Sequence, residues 1–567
     1  MTSNLSTKEG LVPIVFGATG HRDIPEVDHV VLRQAICSQL QQTKNQYPNS
    51  PLILVSGLAE GADRIMALCA LECGWSIAAI LPLEQLDYES DFQTEESKAE
   101  FRQLLGQCVW VTQLSESFNR PECYRQMGFE LTRQSQVLVS LWDGNLEHGP
   151  GGTAEVIRAF RQGLPLVQPL LPDAGPVIHI QARRAAKLEE GAKAHVGTIH
   201  LLASCPAGLD TMGEEVRWQQ VLKSIDNFNT EVLHFQAANP TGEGLYPLAS
   251  PPWAVNHQLS KSSLAQNLYL AADAISIKAQ KQREQLFWWL LGFGVVSILI
   301  LQIYANLVFS PYLLLTTLLT STLGAVWFLR SQKQNLEGRY LDYRALAEAC
   351  RVQYFWKILD LPHSVFNYYL RAQRDELEWI RQAVQTTELA PATEASVSMV
   401  EKLKFVRNAW VDDQLRYFAG GPNKPGKAEF NRTADLKWTQ WGTWLFGTGI
   451  ALIFATAVFH TFFANFDNPA HDLLLHWLMF GFSIAFAASG LTKVYREIKA
   501  FSEHATLYDR MQLALQLTLQ KLDQAIASNN TEQALEIIKE LGIEALAENG
   551  IWLLMHRERP VLVRGIG

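Results

Sequence analysis

Short apolar runs alternate with amphipathic helical patterns along the first 250 residues of the chain. The apolar runs are bounded by turn residues and fall at 13–17, 52–57, 76–82, 108–113, 137–144 and 164–168. Helical patterns lie between them at 26–44, 60–73, 95–106, 120–134 and 152–162. Strands that alternate with helices in this way predict an α/β Rossmann-like N-terminal domain with a parallel, doubly wound sheet.

The pattern changes after about residue 284, where the chain becomes predominantly apolar. Four stretches contain no Asp, Glu, Lys or Arg: residues 286–309, 311–329, 438–463 and 473–492. Each is long enough to cross a hydrocarbon core of about 30 Å as a helix. We therefore expect an all-α membrane region with four transmembrane helices, arranged as two hairpins.

In each predicted hairpin, basic residues lie before the first apolar stretch and after the second, but not in the connection between the two. They are Lys278, Lys281, Arg283, Arg330, Lys333, Arg339, Arg432, Lys437, Lys493, Arg496 and Lys499. The short connections at 310–311 and 464–472 contain no Lys or Arg. This asymmetry argues against buried helices of a soluble protein. By the positive-inside rule it predicts a multi-pass protein of the cell inner membrane with both termini cytoplasmic.

Three domains follow from these patterns. Residues 1–250 form the predicted α/β domain, with residues 171–250 as its extension, and a linker rich in Pro and Gly covers 240–252. A helix from about Leu259 leads into the first span without a breaker. The second domain, 259–395, holds the first hairpin and its cytoplasmic helices, and the third, 396–567, holds the second hairpin and the C-terminal helices.

Composition removes several classes of function. The net charge of −9 over 567 residues argues against a nucleic-acid partner. The seven cysteines are scattered without paired CxxC spacing, which predicts free thiols, no disulfide framework and no zinc site. We expect no metal and no cofactor. The uncharged spans make an ion-coupled transporter less attractive than a pore or an anchor.

Polar and glycine residues follow three of the predicted strands. The first strand is followed by "GATGHRD", with Gly17, Thr19, Gly20 and Arg22. The second is followed by "SGLAEGADR", with Ser56, Gly57, Glu60, Gly61 and Asp63. The fifth is followed by "WDGNLEHGPGGTAEV", with Asp143, Gly151, Gly152, Thr153 and Glu155. Because ligands of doubly wound sheets bind beyond the carboxyl ends of the strands, we expect these residues to form one ligand site.

The chemistry of these groups favours a nucleotide. Helix N-termini and the planar guanidinium of Arg22 attract phosphate, and carboxylates can bind ribose hydroxyls or a base. Each glycine-rich turn taken alone is also compatible with ordinary turn chemistry. His21 and His148 are interpreted as surface or capping residues rather than metal ligands.

The ordered set "GATGHRD", "SGLAEGADRIMA", "LP" with Tyr88, Asp91 and Phe92, "LWDG" and "GGTAEV" resembles the SLOG superfamily over about residues 12–170. These Rossmann-like domains are related to DNA-processing protein A and to the lysine decarboxylase-like phosphoribohydrolases. The resemblance implies that ten of the residues given above line a pocket for a nucleotide or nucleotide derivative: Gly17, Arg22, Ser56, Gly57, Glu60, Asp63, Gly151, Gly152, Thr153 and Glu155. It also implies coupling to two-helix membrane modules called SLATT, as in prokaryotic antiviral defence.

The resemblance leaves three functions open. The first is an oligomeric membrane effector that is gated by a nucleotide-derived signal. The second is a membrane-anchored phosphoribohydrolase-like enzyme, an N-glycosidic hydrolase with Glu155 and Arg22 as catalytic groups. The third is a nucleotide-regulated transporter. The hydrolases carry a PGGxGTxxE pattern, whereas here Thr153 directly follows Gly152 and the acid is Glu155, so an enzyme is the weaker interpretation.

Overall fold

The computed structural model describes residues 10–114, 119–145, 151–163, 174–187, 195–205, 213–240, 245–253, 261–332, 335–369, 374–389, 397–421, 424–463 and 469–558. The chain divides into two compact units. Unit 1 comprises Met1–Ala272 and Leu346–Ser396, and unit 2 comprises Asp273–Ala345 and Val397–Gly567. These units are compact in space and each combines two separate parts of the sequence. The predicted domains of 1–250, 259–395 and 396–567 were continuous segments and stay predictions.

Unit 1 contains a seven-stranded sheet with the order β4-β3-β2-β1-β5-β6-β7. Its strands are β1 (Ile14–Gly20), β2 (Leu52–Ser56), β3 (Ser76–Leu81), β4 (Cys108–Gln113), β5 (Val137–Trp142), β6 (Val177–Gln181) and β7 (Ile199–Leu202). All neighbours pair in parallel except β6 and β7, which are antiparallel. The predicted α/β fold is therefore confirmed, with one antiparallel edge strand added.

Helices separate the strands and build the rest of the chain. They are α1 (His29–Gln46), α2 (Ala62–Glu72), α3 (Gln85–Glu89), α4 (Glu95–Leu105), α5 (Arg120–Gln134), α6 (Thr153–Gln162), α7 (Glu214–Ala238), α8 (Lys261–Asn306), α9 (Pro311–Gln332), α10 (Leu336–Ile358), α11 (Arg374–Gln385), α12 (Met399–Val406), α13 (Asp413–Ala419), α14 (Lys427–Phe463), α15 (Pro469–Lys499), α16 (Phe501–Ala527) and α17 (Thr531–Glu558). A short hairpin of β8 (Gly420–Gly421) and β9 (Lys424–Pro425) precedes α14.

The central strands are buried on both faces, which explains their continuous apolar runs. The first strand is longer than predicted. Gly17 was expected to follow it, but Gly17 to Gly20 pair in register with Leu138 to Leu141 of β5. The glycines suggested a turn, yet a central parallel strand accepts small residues where helices pack closely against it. The apolar run at 164–168, predicted as a sixth strand, lies outside the described residues.

A helical segment from later in the chain belongs to unit 1. Nε2 of Gln136 donates to the carbonyl oxygen of Gln382 in α11, 3.5 Å away. Leu389 joins the buried cluster that includes Val15, Val156 and Phe160. The α/β core is therefore completed by residues that the sequence pattern assigned to the membrane region.

Among its described residues, unit 2 contains four helical stretches that are long and apolar enough to cross a membrane, in α8, α9, α14 and α15. Most of their apolar side chains are exposed, including Trp288, Trp444 and Phe454. Such extensive exposed apolar surface is typical of contact with lipid. The hydroxyls of Ser297 in α8 and Thr320 in α9 lie 2.7 Å apart, so a hydrogen bond joins these two helices.

Polar residues link the helices of unit 2 beyond the apolar stretches. Nη2 of Arg496 in α15 lies 2.9 Å from Oδ1 of Asp435 in α14. Arg283 and Glu337 form a largely buried ion pair at 2.9 Å, and Arg283 also lies over the ring of Tyr340. Ala500, which has a φ of 47°, separates α15 from α16.

Candidate functional site

The strand order of the sheet reverses between β1 and β5. The connections from β1 lead through β2 and β3 to β4 on one side, and β5 lies on the other side of β1. Such a switch opens a crevice beyond the carboxyl ends of the two strands. Here β1 ends at Gly20 and β5 ends at Trp142, so His21 and Asp143 stand at the mouth of the crevice.

His21 and Asp143 are in direct contact. Nε2 of His21 lies 3.1 Å from Oδ1 of Asp143 and 3.2 Å from its backbone nitrogen. A protonated Nε2 donates to the carboxylate, whereas an unprotonated Nε2 accepts from the backbone N–H. Burial lowers the pKa of His21, and the charge and hydrogen bond of Asp143 partly offset that decrease. His21 is buried, so its interpretation as a surface residue was wrong.

The residues after β2 surround a buried carboxylate. Oδ2 of Asp63 accepts hydrogen bonds from Oγ of Ser56 at 3.2 Å and from the backbone N–H of Ala59 at 3.4 Å. Burial raises the pKa of Asp63 to about 6, although these hydrogen bonds and the charge of Arg22 lower it. The hydroxyl of Tyr88 donates to the carbonyl oxygen of Gly57 at 3.0 Å. Asp63 is thus a carboxyl group that titrates near neutral pH at the start of α2.

Glu60 and Gly61 shape the turn into α2. Glu60 accepts hydrogen bonds from Oγ of Ser97 and from the backbone N–H of Gln93, the latter at 3.3 Å. Gly61 has a φ of 80°, and a Cβ there would collide with the carbonyl oxygen of Arg22. A side chain at Gly61 would therefore strain the backbone and separate the segment after β1 from the helix after β2.

Arg22 connects three parts of the predicted site. Its side chain is exposed, and its guanidinium carbon lies 5.1 Å from the centre of the Tyr124 ring on α5. Its positive charge contributes to lowering the pKa of Asp63, so the two groups interact electrostatically. The guanidinium consequently lies near the ends of β1 and β2 and near α5, where it is accessible to an anion.

The loop after β5 is held by Glu155. Oε2 of Glu155 accepts from the backbone N–H of Gly151 at 2.6 Å, and Oε1 accepts from Nε of Arg125 at 2.9 Å. Gly151 has a φ of 77°, and Gly152 is the N-cap of α6. Both oxygens of Glu155 are therefore engaged in ordering the turn that brings Thr153 into the first turn of α6. Residues 146–150 of this loop lie outside the described residues.

Three predicted site residues lie within β1. A Cβ at Gly17 would collide with Oγ of Ser135, and one at Gly20 would lie 2.7 Å from the carbonyl oxygen of Leu141. Thr19 is buried and pairs with Ser140 of β5. Packing inside unit 1 thus gives a reason for both glycines that needs no ligand.

Sequence reasoning assigned no binding residue to α5 or to the helix after β3, although both border the site. The hydroxyl of Tyr124 donates to Oδ2 of Asp91, and Nη2 of Arg120 lies 2.7 Å from Oδ1 of Asp91. Arg120 also binds Asp87 at 3.0 Å. In the sequence, the only indication of this part of the site was the spacing of aromatic and acidic residues around Tyr88. That spacing does not indicate that α5 supplies the partners of the acidic residues.

No metal-ligand cluster occurs at these strand ends among the residues that the structure describes. Elsewhere in the described part of the chain, Cys37, Cys69 and Glu72 form one group whose donor atoms are spaced suitably for a metal ion, and this group lies between α1 and α2. The strand-end site is instead a set of carboxylates, arginines and tyrosines around the β1–β5 crevice. Such a set can bind an organic anion through charge and hydrogen bonds.

The fold and site define a protein that combines a Rossmann-like α/β unit with helices suited to a membrane. A comparison with models of known protein families finds no match for this chain, and no curated protein matches it.

Proposed function

We propose that the chain is a membrane effector whose α/β unit binds a nucleotide-derived signal on the cytoplasmic side. The observation that carries this proposal is the exposed guanidinium of Arg22 beside the buried carboxyl group of Asp63, at adjacent ends of β1 and β2. A cation for phosphate and a nearby hydrogen-bonding carboxyl group suit a nucleotide better than a purely apolar ligand.

The surrounding residues have matching roles in this proposal. Phosphate binds to Arg22 and to the N-terminal turn of α6 at Gly152 and Thr153, where backbone N–H groups carry partial positive charge. The carboxylates of Asp143 and Asp63 accept hydrogen bonds from hydroxyl or amino groups of the ribose or base. The aromatic ring of Tyr124 provides an apolar surface beside Arg22.

Ligand binding acts on the membrane helices through α8. This helix is continuous from Lys261 to Asn306, so its polar beginning and its uncharged end belong to one element. A ligand shifts a closed–open equilibrium only by its differential affinity for the two states. A tenfold preference corresponds to about 1.4 kcal/mol, which is enough to bias a nearly balanced gate.

The resemblance to SLOG and SLATT modules supports the same proposal. In it the protein is a homo-oligomer of the inner membrane, its termini are cytoplasmic, and its open state permeabilises the membrane in antiviral defence. The exposed apolar surfaces of α8, α9, α14 and α15 support a location in the bilayer.

Two measurements on the purified full chain test the proposal. Mass spectrometry of small molecules that copurify with the protein should identify a nucleotide or a derivative of one. Adding that molecule to liposomes that contain the protein should release an encapsulated dye. A glycine–serine insertion near Lys278, which interrupts α8, should abolish release while binding persists. Equal dye release with and without ligand at saturation would contradict gating.

A membrane-anchored enzyme is the second candidate, because the pKa of Asp63 near 6 suits a general acid or base. Glu155 is the weaker catalytic candidate, since its two oxygens are engaged by Arg125 and Gly151. Incubating the chain with nucleoside monophosphates distinguishes the two functions. Release of free base that is lost in Asp63→Asn would favour the enzyme, and intact nucleotide would favour the effector.

A further inference from the structure

Three thiols and a carboxylate meet between α1 and α2, away from the strand ends. Donor atoms of Cys37, Cys69 and Glu72 all lie within 4.8 Å of one another. Cys73 adjoins them, because its Sγ lies 3.8 Å from the carbonyl oxygen of Cys37 and its thiol interacts with that of Cys37. All seven cysteines of the chain carry free thiols, so these sulfurs are chemically available.

The arrangement follows from helix geometry. Cys69, Glu72 and Cys73 are spaced i, i+3 and i+4, which places them on one face of α2 and around its C-terminal end. Cys37 approaches this face from α1. The end of a helix carries partial negative charge, which favours a cation there.

Glu72 is oriented so that one oxygen remains directed at the sulfurs. Its Oε1 pairs with Nη2 of Arg33, and its Oε2 lies 3.9 Å from Sγ of Cys37. Carboxylates beside metal sites are commonly fixed by such outer partners. Arg33 thus holds the carboxylate in place and leaves Oε2 facing the thiol cluster.

We propose that Cys37, Cys69, Glu72 and Cys73 form a binding site for a thiophilic divalent cation of the Zn²⁺ class. Zinc is bound tetrahedrally by Cys sulfur at about 2.3 Å and by carboxylate oxygen at about 2.0–2.2 Å. Those bond lengths place two ligand sulfurs about 3.8 Å apart in a tetrahedron, which lies within the observed 4.8 Å limit.

A bound cation replaces the protons of the thiols that ligate it, as in other cysteine sites. The ion would join α1 to α2, whose first turn carries Asp63 of the strand-end site. The pattern escapes sequence analysis because Glu72 interrupts the cysteine spacing and Cys37 lies on another helix.

The test uses the full-length chain in detergent, stripped of metal and kept in a non-chelating reducing agent. Titration with Co²⁺ should give one equivalent of binding with thiolate-to-cobalt charge-transfer absorption, and Zn²⁺ should displace the cobalt. Cys69→Ser and Glu72→Gln should each weaken Zn²⁺ binding by ~100-fold or more, since loss of even an outer-shell partner costs 10–100-fold. Glu72 is 54% exposed, so its replacement leaves the fold intact.

The matched control is Cys108→Ser, because Cys108 is also a partly buried thiol but lies in β4, outside the cluster, with Sγ 3.5 Å from the carbonyl oxygen of Leu104. This variant should bind Zn²⁺ like the parent chain. Zn²⁺ should also raise the thermal midpoint of the parent and of Cys108→Ser but not that of Glu72→Gln. Absence of charge-transfer absorption, or equal Zn²⁺ affinity in all variants, would overturn the proposal.

Discussion

Nε2 of His21, just after β1, lies 3.1 Å from Oδ1 of Asp143, just after β5. The contact joins the ends of the two strands between which the order of the sheet reverses. Both residues are in unit 1, and the imidazole is almost completely buried. The protonation of His21 therefore changes the charge at the mouth of the β1–β5 crevice.

Asp143→Asn should lower the pKa of His21 further. Burial already lowers this pKa, and the negative charge and hydrogen bond of Asp143 are the largest effects that raise it. Hydrogen–deuterium exchange of the imidazole, followed by mass spectrometry across a pH series, gives the pKa in the full chain. Asp23→Asn serves as the comparison, since Asp23 makes the smallest contribution of those resolved. An equal decrease in both variants would mean that the contact does not govern the titration.

Arg22→Gln should weaken nucleotide binding by roughly 10–150-fold, because a hydrogen bond to a charged group contributes about 1.5–3 kcal/mol. Calorimetry with the copurifying molecule measures the affinity. Arg102→Gln is the matched control, since Arg102 is an exposed arginine that binds Glu89 at 2.5 Å. If both variants bind as tightly as the parent chain, Arg22 does not contact the ligand.

The sequence predicted the fold well and the site only in outline. Strands β1, β2, β3 and β5 were recognised because both faces of each are covered and the apolar runs are continuous, whereas β4 is only partly buried. The partners of the site residues could not be predicted. Tyr124 reaches Arg22 and Asp91 only because α5 packs beside β1, and no local pattern encodes that placement.

The extent of unit 1 was also beyond the sequence pattern. Leu389 completes the core beside Val15, although a predicted membrane hairpin separates the two in the chain. The role of Gly17 was equally hard to predict. Glycine is needed there because a Cβ would collide with Ser135, which is far from Gly17 in the sequence. Such requirements arise from tertiary contacts, whereas periodicity reports only the secondary structure.

The topology of the membrane region is predicted by its basic residues. Reporter fusions after Asn335 and after Gly567 should report a cytoplasmic location, and a fusion at Asn468 should report an external one. The measurement is paired alkaline phosphatase and green fluorescent protein fusions. A fluorescent, phosphatase-negative fusion at Asn468 would exclude the two-hairpin arrangement.

Close packing within the second hairpin depends on Gly442. A Cβ there would lie 2.5 Å from Oγ1 of Thr492 in α15, and Oγ of Ser489 donates to the Gly442 carbonyl oxygen at 2.9 Å. Gly442→Leu should destabilise the chain by about 1–3 kcal/mol through overpacking. Gly447→Leu is the matched control on the same helix, since a Cβ at Gly447 meets nothing within 4 Å. Unfolding in detergent should show a lower midpoint for Gly442→Leu alone.

The carboxyl group of Asp63 should make the stability of the chain depend on pH. Its pKa is about 6 in the folded protein and 3.8 ordinarily, so the folded state binds the proton more tightly than the unfolded state does. Its stabilising contribution is therefore complete below about pH 4 and is lost as the pH rises through 6. The difference between the two pKa values corresponds to roughly 3 kcal/mol.

Asp63→Asn removes this titration, because the amide stays neutral and its oxygen can still accept from Ser56. Relative to the parent chain, the variant should gain up to roughly 3 kcal/mol in the free energy of unfolding between pH 4 and pH 7. Denaturant unfolding followed by tryptophan fluorescence measures this difference. Ser56→Ala should raise the pKa of Asp63, because the Ser56 hydrogen bond lowers it. The pH-dependent loss of stability should then continue to higher pH than in the parent chain. A constant difference between Asp63→Asn and the parent chain at all pH values would show that the pKa of Asp63 is the same in the folded and unfolded states, which would remove Asp63 as a proton donor near neutral pH.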